Sequence, residues 1–440
     1  MNFKKFFELA KLNGLESADI EEVRSKSLSI EIFKGEIVSY SVSIDKNFTA
    51  RGIYNGKMGF VSVESDDKST PEYIVKTIKE AASLNESSDE AIIFKGSPKY
   101  KKKRVYNERL SSFGAEEAIK MLHEIEDKLY AKSDKIKDVE VGFSLSDNSS
   151  VLANSYGLNL KTKNNYFYFY AEIVLSENEN ETKSAFDIFF DNDLDKFDLD
   201  KFVDELVEKG LSKLNGESIE SGKHKIVLKE NCVASLLAAA ISNASSESVQ
   251  KHSSVFEGKL NQKIFSSKIT IEERPLEKNL FYTYFDDECV ATCNKKIIDK
   301  GVLKTFFYNL ATAKKDGVET TGNARGRGSK MGIGFTNIFL KPGKLSEEQL
   351  FEKIEEGVYV TSLAGLHAGL NPVSGDFSLQ AEGFHIKGGK LGKALKLFTL
   401  SGNLFKVFND VIALGNNSKL LSSSINSVSM AVKNLKISAE

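Results

Sequence analysis

The chain has 440 residues, of which 41% are hydrophobic and 28% are charged. These proportions are typical of a globular protein and exclude wholesale disorder, and the length is sufficient for two or three domains. The 60 basic and 62 acidic side chains nearly cancel, so no overall field favours nucleic acid or an anionic membrane surface, and we expect neither as a direct partner.

Cysteine usage and the lack of targeting signals predict a cytoplasmic location. The three cysteines, Cys232, Cys289 and Cys293, are too few and odd in number for a disulfide framework, so we expect free thiols in a reducing compartment. Charged and apolar residues alternate near the N-terminus, unlike a signal peptide, and no apolar run reaches about 18 residues. The sequence therefore predicts neither export nor a membrane partner.

The first half of the sequence has the pattern of an α+β domain. A helix is predicted near residues 2–12, followed by antiparallel strands in which Asn55-Gly56 is a strong hairpin signal. A second helix is predicted to start at Pro71 with Thr70 as its N-cap. A third helix, AEEAIKMLHEIEDKLYAK, precedes four strand-like segments, VEVGFSLSD, VLANSYGLNLKTK, NYFYFYAEIVLSE and KSAFDIFFD.

A domain boundary is predicted near residue 216, where the end of a further helix, two glycines and a polar stretch coincide. We therefore expect an N-terminal α+β domain with antiparallel strands and helices over residues 1–216. A β-rich domain carrying a few helices is expected over residues 217–440.

The second half is predicted to carry a helix from Cys232 to Ser246 and strands over KITIEE, NLFYTYFDD and KKIIDKG. A later helix has the capping box Ser346 and Gln349, with Gly357 as its C-cap. Short apolar runs separated by Gly, Asn and Ser predict further strands to the end of the chain.

Two strings resemble fragments of metal sites but lack the other ligands. HEIED at His123 has no second histidine four residues later, so the sequence favours a surface histidine on a helix. Cys289 and Cys293 have no further ligand pair nearby, which favours two reduced thiols on or beside a strand. Neither string predicts a metal or cofactor.

The stretch TTGNARGRGSKMGIG, residues 320–334, combines glycines with cations. Glycine allows close backbone approach, and arginine can hold a carboxylate or phosphate. The spacing matches neither a phosphate loop nor a dinucleotide fingerprint, so a flexible surface loop and a peptide- or partner-binding loop remain equal alternatives. The candidate binding residues are Gly322, Asn323, Arg325 and Arg327.

The segment LHAGLNPVSGDFSLQAEGFHIKGG brings Ser374, Asp376 and His385 close in sequence. These residue types form hydrolase triads, but no G-x-S-x-G elbow is present and the pattern favours a turn leading into strands. An independent metal-free hydrolase is therefore the least favoured hypothesis. Asn371 and Asp376 are further candidates for peptide or partner binding.

Several strings, in order, resemble the TldD/PmbA family, also known as the gyrase-modulator family. In the second half these are SGKHKIVLKENCVASLLAAAISNASSESVQKHSSVFEGKL, YTYFDDECVATCNKKIIDKGVLKTFFYNLATAKKDGVETTGNARG and NPVSGDFSLQAEGFHIKGGK with LFTLSGNLFKVFNDVIALGNN. The first half agrees through TARGIYNGKMGFVSVESDDKS and LANSYGLNL. The resemblance implies two domains and two branches. TldD-type chains carry HExxxH and a later cysteine as zinc ligands and act on small or unstructured peptides, whereas PmbA/TldE-type chains lack this site and assemble with the first.

The stretch LLAAAISN, residues 236–243, decides which branch the chain resembles. A Leu-Leu pair directly precedes HExxxH in the TldD branch, so the resemblance places Ala238 and Asn243 at the two histidine positions and Ala239 at the glutamate. A methyl group cannot ligate zinc, a neutral amide is a poor zinc ligand, and no base remains to activate water. The tail GNNSKLLSSSINSVSMAVKNLKIS has no cysteine or histidine. The resemblance therefore implies the PmbA/TldE branch, with no catalytic or metal residue and no cofactor.

Two functions remain as hypotheses. The favoured one is a metal-free, cytoplasmic subunit that pairs with a TldD-like metallopeptidase chain, or forms a homodimer, and contributes to the proteolysis of peptides; the isolated chain is expected to be inactive. The alternative is a binding or modulator protein that acts without any protease on a toxin, an antitoxin or a topoisomerase partner.

Overall fold

The computed structural model describes residues 1–87, 90–178, 181–328 and 331–439. They form two compact units, each made of several segments of the chain. The first comprises Met1–Leu211, Lys278–Thr292 and Asn309–Gly332, and the second Ser212–Glu277, Cys293–Tyr308 and Ile333–Glu440. No helix among the described residues is both long and apolar enough to cross a membrane.

The first unit is built on a six-stranded antiparallel sheet with the strand order β3-β2-β1-β4-β5-β6. Four of its strands have between 17 and 20 residues. The strands are β1 (Ser17–Phe33), β2 (Glu36–Tyr54), β3 (Lys57–Val63), β4 (Ile136–Asn154), β5 (Asn159–Asn178) and β6 (Glu181–Asp191).

Helices cover the apolar face of this sheet. Gly59 permits the closest approach, because a Cβ atom there would lie 1.9 Å from the carbonyl oxygen of Ile78. The helices of the first unit are α1 (Phe3–Leu12), α2 (Thr70–Ser83), α3 (Ala115–Lys132), α4 (Leu199–Leu211) and the later α7 (Leu310–Asp316). The predicted α+β class, with antiparallel strands, is confirmed.

Turns account for two differences between prediction and structure in this unit. The predicted strand VLANSYGLNLKTK is broken, because the Asn154 side chain accepts hydrogen bonds from the backbone N–H groups of Tyr156 and Leu158 and closes the β4–β5 turn. The N-cap of α2 is Ser69 rather than Thr70. Asp67 accepts hydrogen bonds from the backbone N–H groups of both residues, which fixes the helix start one residue earlier. The Asn55-Gly56 hairpin forms as predicted, with positive φ at both residues.

The segment NLFYTYFDD is predicted as a strand but forms none. Its aromatic rings serve packing instead: Phe281 stacks on Phe190, and Tyr284 packs edge-on against Tyr100. The hydroxyl of Tyr284 also donates to the carbonyl oxygen of Lys161 at 2.6 Å. High aromatic content was therefore a signal of burial here, not of a strand.

Five strands of the second unit pair in a closed ring, which we call the barrel. Each strand has two neighbours in the order β7-β21-β17-β15-β14 and back to β7, and only β14 and β7 run parallel. The barrel strands are β7 (Gly222–Leu228), β14 (Gly357–Ala364), β15 (Asp376–Lys387), β17 (Phe398–Asn403) and β21 (Met430–Ala439).

The barrel is flanked by helices and by short strands. The helices are α5 (Glu230–Ser242), α6 (Ser246–Gln250), α8 (Glu347–Ile354), α9 (Leu366–Gly369) and α10 (Leu404–Asn409). The short strands of this unit are β8 (Ile271–Glu273), β9 (Lys295–Asp299), β10 (Val302–Leu303), β13 (Ile338–Leu340), β16 (Lys390–Ala394), β18 (Val411–Leu414), β19 (Lys419–Leu420) and β20 (Ile425–Ser427). Strand β11 (Ala324–Arg325) belongs to the first unit, and β12 (Gly332–Ile333) begins at the last residue of that unit.

Helix ends in this unit differ partly from prediction. The capping box of Ser346 and Gln349 starts α8 as predicted. Gly357 is not its C-cap, because the helix ends at Ile354 and Glu355 takes the positive φ. The division at residue 216 remains a prediction; the compact units are discontinuous because residues 278–292 and 309–332 pack with the first unit.

Candidate functional site

Helix α5 begins directly after strand β7 and buries one face of small and apolar side chains. Leu236 and Leu237 are fully buried, and the next two residues, Ala238 and Ala239, are half-buried. The alanine run favours the helix intrinsically and lets neighbouring backbone approach it closely. The side chains offered at these two positions are methyl groups, which neither donate nor accept hydrogen bonds.

Asn243 ends this helix and is 5% exposed. Its side-chain amide donates to the carbonyl oxygen of Pro372 at 2.9 Å and to that of Ala239 at 3.3 Å. Its own carbonyl oxygen accepts from the hydroxyl of Ser254 at 2.6 Å. The amide N–H groups are therefore used to fasten the helix end to the turn that contains Pro372.

Residues 371–376 form that turn, which is mostly exposed and is stabilised by hydrogen bonds among its own residues. The side-chain oxygen of Asn371 accepts hydrogen bonds from the backbone N–H groups of Val373 and Ser374. The amide of Asn403 donates to Asp376 at 2.9 Å. The hydrogen bonds with Asn403 and then Ser374 hold the pKa of the Asp376 carboxyl below its usual value. The structure thus joins three predicted positions, Asn243, Asn371 and Asp376, at one end of the barrel.

The triad of Ser374, Asp376 and His385 does not exist as a unit. Asp376 opens strand β15, and His385 lies nine residues later in the same strand. At a rise of about 3.3 Å per residue the two are separated by roughly 30 Å. Proton transfer within a triad needs hydrogen-bond contact, so an independent hydrolase using these three residues is excluded.

The other predicted binding residues lie in the first unit, mostly buried. Gly322 and Asn323 are buried, and Asn323 accepts a hydrogen bond from the hydroxyl of Thr321 at 2.7 Å. Arg325 is half-buried and donates to the carbonyl oxygen of Ala324. The prediction of a flexible surface loop is therefore wrong for the buried part of this stretch. Residues 329 and 330 lie outside the described residues.

Arg327 belongs to a buried ion cluster that the sequence did not reveal. Its side chain is 5% exposed and pairs with Asp19, which also pairs with Arg51. Burial by itself would raise the pKa of Asp19, but the charges of Arg327 and Arg51 outweigh burial and lower it. Glu21 lies 3.4 Å from Arg327 Nε. Only the pairing of strands β1 and β2 brings Asp19 opposite Arg51.

Two buried carboxyls of the first unit accept hydrogen bonds from backbone N–H groups. Asp286 accepts hydrogen bonds from the N–H groups of Glu288, Val290 and Ala324. Glu288 accepts from the N–H of Leu310 at 2.8 Å. Burial raises the pKa of Asp286 to about 6 and that of Glu288 to about 7. Because these acceptors are occupied by backbone donors, their immediate effect is to fix residues 286–290, the start of α7 and the backbone at Ala324.

Three family models match this chain. Residues 18–84, 108–214 and 221–439 match domain 1, the central domain and the C-terminal domain of the PmbA/TldA metallopeptidases. The chain belongs to the PmbA/TldD family. The predicted family assignment is thereby confirmed.

Relatives in this family span nearly the whole chain. An uncharacterized protein of Methanocaldococcus jannaschii is 26% identical over 97% of this chain and 98% of its own length. A metalloprotease PmbA homolog of Buchnera aphidicola is 26% identical over 88% of each chain. A Thermotoga maritima crystal structure, described as a modulator of a DNA gyrase, superposes with a TM-score of 0.91 at 26% identity over 99% of this chain and 100% of the other. TldE of Thermococcus kodakarensis shares the fold, with a TM-score of 0.89 at 23% identity over 99% of each chain.

The residues on α5 do not fit the zinc that the PmbA/TldD family implies. Zinc needs imidazole, thiolate or carboxylate donors, whereas Ala238 and Ala239 present methyl groups and the Asn243 amide donates its N–H groups to two carbonyls. Among the described residues, no group of three or more His, Cys, Asp or Glu is arranged to hold a metal ion. The three cysteines are free thiols, as expected. His123 lies on α3 with its side chain 40% exposed, in agreement with a surface position.

Proposed function

We propose that this chain is the metal-free subunit of a cytoplasmic TldD/TldE-type metallopeptidase complex that acts on small or unstructured peptides. The observation that carries the proposal is the chemistry of α5, where Ala238, Ala239 and Asn243 occupy the positions that the family resemblance gives to the zinc ligands and the base. The Asn243 amide is engaged with Pro372 and Ala239, so its contribution is structural. Catalysis is assigned to a partner chain with HExxxH.

An open sheet edge supports assembly with another chain. Strand β2 pairs with β1 along its whole length, but among the residues that the structure describes only β3 pairs with its other edge, over Phe48–Tyr54. The uncovered part exposes Tyr40, Val42 and Ile44, the last at 77%. Even numbers of positions separate these residues from buried Phe48, so their side chains lie on the same face of the sheet as that of Phe48. A long apolar edge is an aggregation hazard unless a partner covers it.

Peptide binding by strand addition suits this complex, because main-chain hydrogen bonds tolerate varied side chains. Among the predicted binding residues, Asn371 and Asp376 are exposed and available for direct contact. Gly322, Asn323 and Arg327 are buried and would act by shaping the loop, while half-buried Arg325 is accessible in part.

The decisive experiment is co-purification from the native host with metal analysis of the product. We expect this chain to recover a relative that carries HExxxH, with zinc bound by that relative and peptide hydrolysis confined to the complex. Stoichiometric zinc on the isolated chain, together with peptide hydrolysis that a chelator abolishes, would refute the proposal.

A pair of edge variants tests the assembly surface. Val42→Lys places a charge on the apolar face of β2, whereas Ser41→Lys places it on the opposite face of the same exposed edge. We expect the first to reduce recovery of the partner and the second to leave it unchanged, as measured by size exclusion with light scattering. Equal recovery with both variants would remove this edge from the interface.

The second candidate function is a modulator that acts without a protease. It is favoured by the description of the Thermotoga maritima relative as a modulator of a DNA gyrase. The two functions separate on one observation: if the same genome encodes no relative with HExxxH, the subunit function loses its catalytic partner and the modulator function is preferred.

A further inference from the structure

One face of the sheet in the first unit points away from helix α4. Gly210 of α4 packs against Ile173 and Leu175 of β5, and both of these side chains are fully buried. Because successive residues of a strand point to opposite faces, Tyr168 and Tyr170 lie on the other face, where they are half-buried. We call this side of the sheet the aromatic face, and its rings and apolar side chains on β5 and β6 are Tyr166, Tyr168, Tyr170, Phe186, Ile188 and Phe190.

The rings of the aromatic face form a continuous surface. The ring centroids of Tyr168 and Tyr170 are 6.4 Å apart, and those of Tyr170 and Phe186 are 6.0 Å apart. Phe190 is stacked on Phe281, whereas the side chain of Phe186 is 45% exposed. Exposed aromatic surfaces of this extent are typical of sites that bind another molecule.

The ring of Tyr170 is held against the sheet. Gly142 lies opposite Tyr170 in the register of β4 and β5, and a Cβ atom at Gly142 would overlap the Tyr170 ring. The Tyr170 hydroxyl donates to a carboxylate oxygen of Glu140 at 3.3 Å. The ring therefore rests on the backbone of β4, and its position is fixed before any ligand binds.

Carboxylates share the aromatic face with these rings. Glu31 of β1 lies opposite Gly142, and Glu140 and Glu172 lie opposite each other on β4 and β5. None of the three glutamates forms an ion pair among the described residues. Burial and then the charges of Glu31 and Glu140 raise the pKa of the Tyr170 hydroxyl. The electrostatic potential at the rings is therefore negative.

The strands supply no cation to balance these carboxylates. In the four rows of facing residues from Glu140 to Ser146, the described strands carry no lysine or arginine on this face. Two lysines near its rim are already paired: Lys34 lies 2.8 Å from Asp138, and Lys209 lies 3.8 Å from Asp187. The remaining side chains of β1 and β2 in these rows are mainly serines.

Rings beside unpaired carboxylates select a cationic partner. A lysine or arginine gains both the attraction of a ring face and a charged hydrogen bond to a carboxylate. A nucleic acid would bring like charges to this face. A second copy of the chain would bring the same carboxylates and, in these rows, no cation. Charge complementarity therefore favours a different, basic molecule.

The spacing of the face fits an extended chain. Neighbouring rows are two residues apart on each strand, which is about 6.6–6.8 Å. Alternate side chains of an extended peptide have the same spacing. A peptide that lies along β5 would thus bring every second side chain to one row, from Tyr166 through Tyr168 and Tyr170 to Glu172.

We propose that the aromatic face binds an extended peptide segment rich in lysine or arginine, with the cations over the rings of Tyr168 and Tyr170 and beside Glu31, Glu140 and Glu172. This binding goes beyond the proposed function, because it needs neither zinc nor a partner chain. Either one can fail while the other stands.

The test measures the binding of labelled peptides to the full chain by fluorescence anisotropy. The probe alternates lysine with serine over about eight residues, or about 26 Å when extended, and the matched control alternates glutamate with serine. We expect saturable binding of the lysine peptide, an affinity that falls as salt is added, and no binding of the glutamate peptide at the same concentrations. Equal binding of the two peptides would overturn the proposal.

Matched variants locate the binding on the aromatic face. Glu172→Gln removes one carboxylate of this face while keeping the shape of the side chain, whereas Glu208→Gln removes an exposed carboxylate of α4, on the other side of the sheet. We expect the first to weaken binding of the lysine peptide about two- to fivefold and the second to leave it unchanged.

Tyr168→Leu separates attraction by the ring from attraction by charge alone. Leucine keeps an apolar side chain at this position but has no ring face for a cation, so we expect binding to weaken by a similar factor, about two- to fivefold. Circular dichroism checks that each variant is folded. The proposal is wrong if Glu172→Gln binds the lysine peptide as Glu208→Gln does, or if Tyr168→Leu binds it as the unaltered chain does.

Discussion

Removing the Arg327 guanidinium separates a structural role for this residue from a binding role. The Arg327 side chain is 5% exposed and that of its partner Asp19 is 2% exposed. Nη1 of Arg327 also donates to the carbonyl oxygen of Asp287 at 2.7 Å. Arg327→Ala would leave Glu21 without its cation and Asp19 with Arg51 alone, both in a largely buried setting.

The expected loss of stability in Arg327→Ala follows from the burial of this ion pair. Breaking a buried pair by deleting one partner costs about 3–5 kcal/mol, because the remaining charge is left uncompensated. Asp19 keeps Arg51, so we expect the lower end, about 3 kcal/mol. The control is Arg109→Ala, whose pair with Asp195 has side chains 73% and 65% exposed. Pairs of this kind contribute about 0–1 kcal/mol.

Urea unfolding followed by circular dichroism and tyrosine fluorescence measures both variants, since the chain has 14 Tyr and no Trp. We expect the midpoint for Arg327→Ala to fall well below that for Arg109→Ala. If the two variants are equally stable, the buried cluster does not hold the loop. A selective loss of peptide or partner binding at full stability would instead favour the binding role predicted from the sequence.

Three further substitutions test separate parts of the structure. Burial raises the pKa of Glu288 from 4.5 to about 7, so the free energy of unfolding of the unaltered chain should fall as pH rises from 4.5 to 7. Glu288→Gln removes this loss, and its free energy of unfolding should rise by about 3 kcal/mol relative to that of the unaltered chain across this range. Parallel pH–stability curves for the two chains would contradict this. Gly59→Ala puts a Cβ 1.9 Å from a helix carbonyl and should lower stability by about 1–3 kcal/mol. Gly222→Ala, in strand β7 with its nearest atom at 3.8 Å, should be close to neutral in the same unfolding assay. Asn243→Ala removes the side-chain donor to the carbonyl oxygen of Pro372, whereas the carbonyl oxygen of Ala239 keeps the hydroxyl of Ser242, and the loss should cost about 1–3 kcal/mol. Asn231→Ala removes one exposed bond and should cost less; equal losses would show that the Asn243 bonds are not important.

Local patterns sufficed to predict much of the fold. The Asn55-Gly56 turn and the Ser346–Gln349 capping box depend on residues within four positions of each other, and both form as predicted. The helix containing Ala238 and Ala239 was predicted from its apolar run, although it ends at Ser242, not at Ser246. Such features need no information about distant parts of the chain.

Features that depend on distant residues were missed. The pairing of Asp19 with Arg327 spans 308 positions, and nothing near either residue indicates it. Closure of the barrel likewise requires β7 to pair with β14 and β21, which follow it by more than a hundred residues. Asn243 was predicted as a vacated ligand position from family resemblance, but its bond to Pro372 could be found only in the folded structure.

The metal content of each chain in the reconstituted complex shows whether this chain lacks a zinc site. The complex should be dissociated under native conditions, and zinc measured on each separated chain together with hydrolysis of an unstructured peptide. We expect zinc on the HExxxH partner alone and no chelator-sensitive hydrolysis by this chain. Zinc retained in stoichiometric amount by this chain, with peptide hydrolysis that a chelator abolishes, would contradict it.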